Sequence, residues 1–354
     1  MSDTGKIRVA VIGVGAFGRN HARVYSELQK QGEAVELVAV CDANPERAAE
    51  LAMEFKTQAF TSLDQLLKKS GAQAASVAVP TVHHLPVART LMEAGMDVLI
   101  EKPLATTLDE ADDLIRIARQ RQRVAMVGHL ERFNPAVRAT IPLITHPMFF
   151  EVHRLSIFSA RALDVDVVLD LMIHDLDIVL SLVNSPVKEV RAVGLPILSP
   201  NVDIANVRLE FDSGCIANLT ASRVSTERVR KLRFFQPHQY ISLDYARQDV
   251  FAITVDPAQI AGASVEPAHR AKVATAETGA LPMPGMSLHR PKVDSEEPLH
   301  AELKSFLDAV RNRNVPVVSL EDGRRSLALA LDIVRSMAEH HQRANLEKVA
   351  LRKS

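Results

Sequence analysis

Ile7-Arg8-Val9-Ala10-Val11-Ile12 runs straight into Gly13-Val14-Gly15-Ala16-Phe17-Gly18, and the fold is decided by how these residues are read. A short, nearly continuous apolar run suits a strand covered on both faces, as in a helix-flanked parallel sheet. In the G-x-G-x-x-G string, Gly13 allows the tight turn, Gly15 lets the backbone approach a pyrophosphate, and Gly18 permits close helix–strand packing. The free N–H groups opening the next helix, at Ala16 and Phe17, carry partial positive charge toward phosphate oxygens. The string alone is weak; the preceding strand, the following helix and Asp42, 24 residues beyond Gly18, make it a dinucleotide signature. Asp42 ends a second apolar run, where a carboxylate accepts from ribose hydroxyls and repels a 2′-phosphate, so NAD is expected over NADP. Arg47 is the nearby residue that argues the other way, and Asp42 could also cap the helix at Pro45.

Working outward, the same rhythm repeats. Strand-like runs at Ile7–Ile12, Val35–Cys41, Ala74–Val79, Asp97–Ile100 and Val124–Val127 alternate with helical patterns at Arg19–Gln29, Pro45–Phe55, Ser62–Lys69, Leu85–Ala94 and Leu108–Arg119. This is βαβ alternation, hence an α/β Rossmann domain with a doubly wound parallel sheet over residues 1–125. After it come a helix at Val167–Val183 and runs at Val187–Pro196, Ala205–Phe211, Cys215–Val224, Leu232–Gln236 and Gln239–Tyr245. Strands without intervening helices, with Asp212-Ser213-Gly214 as a hairpin turn, predict an α+β domain over 126–354 with a mainly antiparallel open sheet. Within it, 256–297 reads as a loop or arm and 298–342 as C-terminal helices.

Composition narrows the partners. The 354 residues carry 42 Lys+Arg against 43 Asp+Glu, a net charge of −1, which lacks the footprint of a nucleic-acid binder. Two cysteines cannot build a disulfide framework, and no apolar run reaches the roughly 20 residues of a membrane span. With no signal-like N-terminus, the expectation is a cytoplasmic protein with a small-molecule substrate. The basic residues Arg223, Arg228, Arg230, Lys231 and Arg233 read as a solvated face or subunit contact.

Two clusters carry chemistry. Glu101-Lys102-Pro103 stands at the carboxyl end of the Asp97–Ile100 run, the edge where open α/β sheets bind ligands, so Lys102 points toward the cofactor unless it is a plain surface lysine. Asp170, His174 and Asp177 fall on one face of an otherwise apolar helix. A histidine and carboxylates on a buried stripe need partners or a task, and an Asp–His pair suits a general base oriented by its carboxylate. A satisfied core histidine is the alternative. No metal is expected, because no third His or Cys lies at a useful spacing.

In this order, Gly13–Gly18, Asp42, Glu101-Lys102-Pro103 and Asp170-x-x-x-His174 resemble the Gfo/Idh/MocA family of sugar and polyol dehydrogenases, along essentially the whole chain. Val79-Pro80-Thr81-Val82-His83-His84 resembles the family loop that passes the nicotinamide, although many members have Thr-Pro-Asn where this chain has Pro80-Thr81-Val82. The resemblance implies cofactor contacts from Pro80, Thr81, His84, Glu101 and Lys102, and a homodimer or homotetramer built on the open sheet. It also implies that Lys102 and His174 flank the reacting carbon, with Asp170 nearby. His174 is then the candidate base for the hydroxyl proton and Lys102 the group that stabilises the developing alkoxide, with the roles open to exchange.

Gly128-His129-Leu130-Glu131-Arg132-Phe133-Asn134-Pro135-Ala136-Val137, with Arg154-Leu155-Ser156 and Ser159-Ala160-Arg161, resembles the members that oxidise UDP-N-acetylglucosamine at C3 for 3-amino sugars of lipid A-type lipopolysaccharide. This implies substrate contacts from Arg132, Asn134, Arg154 and Arg161 besides Lys102, Asp170 and His174, since guanidinium forks match phosphate oxygens. Salt bridging to carboxylates such as Glu131 and Asp164 is the alternative. Another sugar, an inositol, a different UDP-sugar, or a non-catalytic dinucleotide- and sugar-binding regulator are the competing functions.

Overall fold

The computed structural model describes residues 5–158, 165–260 and 285–344, which fall into two compact units. The first comprises residues 1–133 and 296–328. Its sheet contains β1 (Ile7–Ile12), β2 (Val35–Cys41), β3 (Gln58–Phe60), β4 (Ala74–Val77), β5 (Asp97–Glu101) and β6 (Ala125–Gly128). The strands are all parallel, in the order β3-β2-β1-β4-β5-β6. Helices α1 (Ala16–Lys30), α2 (Pro45–Phe55), α3 (Leu63–Lys69), α4 (His84–Glu93) and α5 (Leu108–Arg121) connect them. Strand order reverses between β1 and β4, and a ligand crevice opens at such a switch point, outside the carboxyl ends of the strands. Val9, Val11, Val40, Val77 and Leu99 are fully buried, which explains why their runs lack alternation. The three-residue β3, with two residues exposed, is too short to leave a periodic signal and is an addition to the sequence reading.

The helices α9 (Pro298–Asn312) and α10 (Leu320–Arg343) were expected to lie wholly in the second domain. Instead residues 296–328 pack with the first unit: Ser319 bridges to Met126, and a Cβ on Gly323 would stand 2.7 Å from the Val127 side chain. That close approach needs glycine and cannot be read from helical periodicity.

The second unit comprises residues 134–295 and 329–354. It opens with α6 (Pro135–Thr140) and carries α7 (Ile173–Leu182) and a short α8 (Pro257–Ile260). Its sheet holds β7 (Phe149–Ile157), β8 (Val187–Leu195), β9 (Ile204–Phe211), β10 (Ile216–Ser225), β11 (Val229–Gln236), β12 (Gln239–Asp244), β13 (Asp249–Val255) and β14 (Met286–His289). The order is β14-β13-β12-β11-β7-β10-β9-β8, antiparallel except where β7 pairs with β10. β7, β13 and β14 were not expected, and β14 lies inside the stretch read as a loop; residues 261–284 of that stretch lie outside the described residues. In β7 the inward positions are Phe150, Val152 and Arg154, so an arginine breaks the apolar alternation that would have marked the strand. Asp212-Ser213-Gly214 does form the turn, with Gly214 at φ +84°.

The core of this unit packs one sheet face against α7 and the end of α10, with Phe150, Phe234, Leu219, Leu176 and Ile333 buried. The Phe150 and Phe234 rings stack 5.4 Å apart, and truncating either to alanine is expected to destabilise the fold by about 3–5 kcal/mol. Arg223, expected on a solvated face, is buried and lies 3.4 Å from the Asp203 carboxylate.

Candidate active site

At the switch point a cavity of about 750 Å³ opens, its walls including Gly13, Gly15, Phe17, Asp42, Arg47 and Pro80. The volume suits a sizeable ligand. Gly13 takes φ +83°, and a Cβ there would stand 2.6 Å from the Ala78 carbonyl oxygen; one on Gly18 would overlap the Gly13 carbonyl. A Cβ on Gly15, by contrast, would meet nothing within 4 Å, so this residue presents bare backbone to the cavity. Gly15 is also the N-cap of α1 and supplies no side-chain cap, which leaves the first N–H groups of the helix facing outward. Ala16 and Phe17 open that helix.

Asp42 locks this loop. One carboxylate oxygen accepts from Val14 N–H at 2.8 Å and the other from Asn44 N–H at 2.9 Å. Asn44, not Asp42, caps α2, accepting from Glu46 and Arg47 N–H. Each Asp42 oxygen retains a lone pair for a ribose hydroxyl. These features fit a dinucleotide: bare amides for the diphosphate and an acidic end to β2.

His84, expected at the cofactor, is 1% exposed. Its Nδ1 lies 3.0 Å from the Pro103 carbonyl and its Nε2 3.0 Å from the Val79 carbonyl. It is therefore a strut joining the loop after β4 to the turn after β5, while its neighbour His83 lines the cavity. Burial pushes its pKa down, against hydrogen bonds to carbonyls that favour a protonated ring. Pro80 is a cavity wall and Thr81 opens a short 3-10 turn, Thr81–His83.

Glu101 is the last residue of β5 and Lys102 follows it, joined to Pro103 by a cis peptide bond. The Glu101 carboxylate accepts from His21 Nε2 at 2.9 Å. A Cβ on Gly128 would come within 3.0 Å of that carboxylate, so Glu101 is turned toward β6 and α1. Burial works to raise its pKa, but the His21 hydrogen bond and the charges of His21, Lys102 and His84 hold it below the ordinary range. His21, on α1, was missed because only the three-dimensional fold brings it to the end of β5.

In the second unit, Asp170 and His174 are half-buried, whereas Asp175 and Asp177 are buried, so Asp177 does not share their more open face. Residues Val168–Met172 form a π-turn, in which Ile173 N–H donates to the Val168 carbonyl five residues back. Such bulges redirect side chains and concentrate at functional sites. Periodicity at 3.6 residues cannot reveal one.

Arg154, expected on a substrate phosphate, is 2% exposed, and its Nε and Nη2 donate to the two oxygens of Asp175 at 2.6 and 2.9 Å. Its guanidinium lies 5.2 Å from the centre of the Tyr245 ring. Arg154 thus forms a buried ion pair in this structure, and inward alternation along β7 is the signal of its burial. Asn134 is likewise a structural cap: its side chain accepts from Ala136 N–H and donates to the Tyr245 carbonyl. Arg132 retains partial exposure, 3.9 Å from Asp322. Arg161 lies outside the described residues.

The chain matches the model of the oxidoreductase family with an NAD-binding Rossmann fold over residues 7–129, and that of the GFO/IDH/MocA C-terminal domain over residues 144–236. It is 36% identical over 329 residues to a UDP-N-acetylglucosamine 3-dehydrogenase of Acidithiobacillus ferrooxidans, covering 92% of this chain and 96% of that protein. The solved structure of the UDP-N-acetylglucosamine 3-dehydrogenase from that organism superposes with a TM-score of 0.80 at 34% identity, covering 94% of this chain and 97% of the other. A scyllo-inositol 2-dehydrogenase (NAD(+)) of Bacillus subtilis is 27% identical over 62% of this chain and 68% of its own.

Proposed function

Because the chain belongs to the GFO/IDH/MocA oxidoreductase family, we propose that it oxidises a sugar hydroxyl to a ketone, its substrate being UDP-N-acetylglucosamine and the site of reaction C3. The observation that carries this reading is likeness to a UDP-N-acetylglucosamine 3-dehydrogenase along 92% of the chain, where the inositol dehydrogenase of Bacillus subtilis matches over 62%. The open Gly15 backbone and Asp42 support NAD as the cofactor, with Arg47 in the same cavity as the feature to test against NADP.

The nicotinamide ring, when bound, supplies the hydride acceptor. The residues of the chain must then take the hydroxyl proton, since hydride loss alone would leave positive charge on carbon. His174 is assigned as the proton acceptor, oriented by Asp170, and Lys102 as the cation that stabilises the alkoxide as it forms. Arg132 is the first candidate for a diphosphate oxygen, and Arg154 and Asn134, whose side chains already engage Asp175 and the Tyr245 carbonyl, are the second. The ketone product is suited to a following transamination, as a 3-amino sugar requires. A homodimer or homotetramer is proposed on the sheet face that carries Phe149, Phe235 and Tyr240, whose rings contact one another in sequence.

The test is nicotinamide absorbance with NAD or NADP across UDP-sugars, free sugars and inositols, with a reoxidation step to pull an unfavourable equilibrium. Turnover confined to non-nucleotide polyols rejects the substrate. Lys102→Ala and His174→Ala should each lower kcat by about 10²- to 10⁴-fold while leaving NADH binding intact. Full activity in both would remove the assignment.

A further inference from the structure

Next to Glu101 lies an acid that the mechanism above leaves unused. Glu302, on α9, is fully buried, and neither of its carboxyl oxygens has a hydrogen-bond partner among the described residues. One of those oxygens, an oxygen of Glu101 and a ring nitrogen of His21 all lie within 4.8 Å of one another. The Nδ1 of His21 is equally buried and unpartnered among the described residues. Glu297, the N-cap of α9, pairs with Arg23 on α1, and Lys304 on α9 pairs with Glu33 in the loop after α1, so this placement belongs to the packed body of the first unit.

A second anion here would lack water, lack a donor and face the charge of Glu101. Burial first, and the Glu101 charge second, push the Glu302 carboxyl well above its ordinary range, while Glu101 is held below. Two carboxyls driven apart in this way divide the labour: one stays an acceptor-only anion and the other keeps a proton to donate. That proton is held beside the Glu101 carboxylate, an oxygen of each carboxyl lying within 4.8 Å of the other. The titratable and charged groups around the pair are His21 and Tyr25 on α1, Lys102 after β5 and His84 on α4. Glu131 and Arg132 lie on the turn that packs against α9.

We propose that Glu302 is a positioning residue, a neutral acid that, together with His21, fixes the Glu101 carboxylate and through it the orientation of Lys102, the next residue in the chain. Its catalytic consequence rests on the dehydrogenase reading above; its protonation does not.

The experiment compares full-length wild type with Glu302→Gln and Glu302→Leu. For each protein, thermal unfolding, NADH binding, kcat and KM are measured, with an infrared difference spectrum of wild type against Glu302→Gln at neutral pH. Gln is neutral and can donate, so it should keep near-wild-type kcat. Leu should lose about 10- to 100-fold in kcat with little change in NADH affinity, as expected when a reacting group is misplaced. The spectrum should contain the carbonyl stretch of an un-ionised carboxylic acid that the Gln variant lacks.

A carboxylate band in its place, a Leu variant with wild-type kcat, or a Gln variant as impaired as Leu would each overturn the proposal. If Leu fails to fold, the Gln variant and the infrared band decide it. If wild type turns over no sugar in the panel, the function assignment fails by itself, and the infrared band still decides the state of Glu302.

Discussion

Each unit of this protein buries a charged cluster, and the two are built on opposite principles. In the second unit Arg154 and Asp175 are of opposite charge: a bidentate pair, closed off from solvent, with an aromatic ring under the guanidinium. In the first unit Glu101 and Glu302 are two acids beside one histidine, and the charges do not balance unless a proton stays behind. Desolvation penalises both clusters, but matching removes the freedom to titrate, whereas mismatch keeps it. The matched pair fixes the approach of α7 to β7; the mismatched one stands beside the lysine assigned to chemistry.

Breaking the matched pair should have the larger effect on stability. Arg154→Ala leaves Asp175 buried with its fork of donors gone, and is expected to destabilise the protein by about 3–5 kcal/mol, enough to consume much of a typical domain's stability. Chemical denaturation checks this. Replacing both partners with apolar residues of similar size, Arg154→Met with Asp175→Leu, should restore most of the loss, because no orphaned charge remains. If the single variant unfolds at the wild-type denaturant midpoint, the pair does not hold α7 to β7.

The mismatched cluster predicts the reverse sign. A carboxyl whose pKa is raised on folding holds a proton that unfolding releases, so stability is fully present at or below the ordinary glutamate value of 4.5 and falls as pH rises toward the folded pKa. Glu302→Gln removes that titration. It should therefore be more stable than wild type at neutral pH, the gain growing by up to about 1.4 kcal/mol per pH unit above the ordinary glutamate range and vanishing as pH falls to it. Glu101 has the opposite linkage: its stabilisation is lost as pH drops through its lowered pKa, below 4.5. Denaturation midpoints of both proteins across pH separate the two, and a difference that does not depend on pH would show that Glu302 is ionised in the fold.

These clusters also mark where sequence reading stops. Gly13, Gly15, Gly18 and Asp42 were legible because their task is set within one βαβ unit, where a strand, a turn and a helix N-terminus must follow each other in the chain. The position of Lys102, directly after the end of β5, was legible from the apolar run before it. His84 was placed correctly in sequence but not in contact, since whether it or His83 faces the cavity depends on the phase at which α4 begins. The burial of Arg154 was missed because a charged side chain suggested the surface, although period-2 alternation with Phe150 and Val152 pointed it inward. Glu302 left a trace as well: it interrupts an apolar helix face between Leu299 and Phe306, as a surface residue would not. Its neighbours, 281 and 201 positions earlier at His21 and Glu101, could not be inferred from that trace.

The smallest effect concerns the two thiols, which divide between the units in the same way as the charges. Cys41 ends β2 at the wall of the dinucleotide cavity, and Cys215 sits in the core of the second unit. Burial pushes both up to about 11, Cys41 with added help from the Asp42 charge, so neither is a thiolate at neutral pH. Labelling by a maleimide at pH 7 should be slow at both and should reach Cys215 only as fast as its unit opens. Cys41 needs only local access to the cavity, so NAD should slow its labelling and leave Cys215 unchanged at a given stability. Mass analysis of the labelled peptides gives the two rates. Equal protection of both by NAD would mean that the dinucleotide acts through global stability alone; protection of Cys41 only ties the ligand to the crevice between β1 and β4.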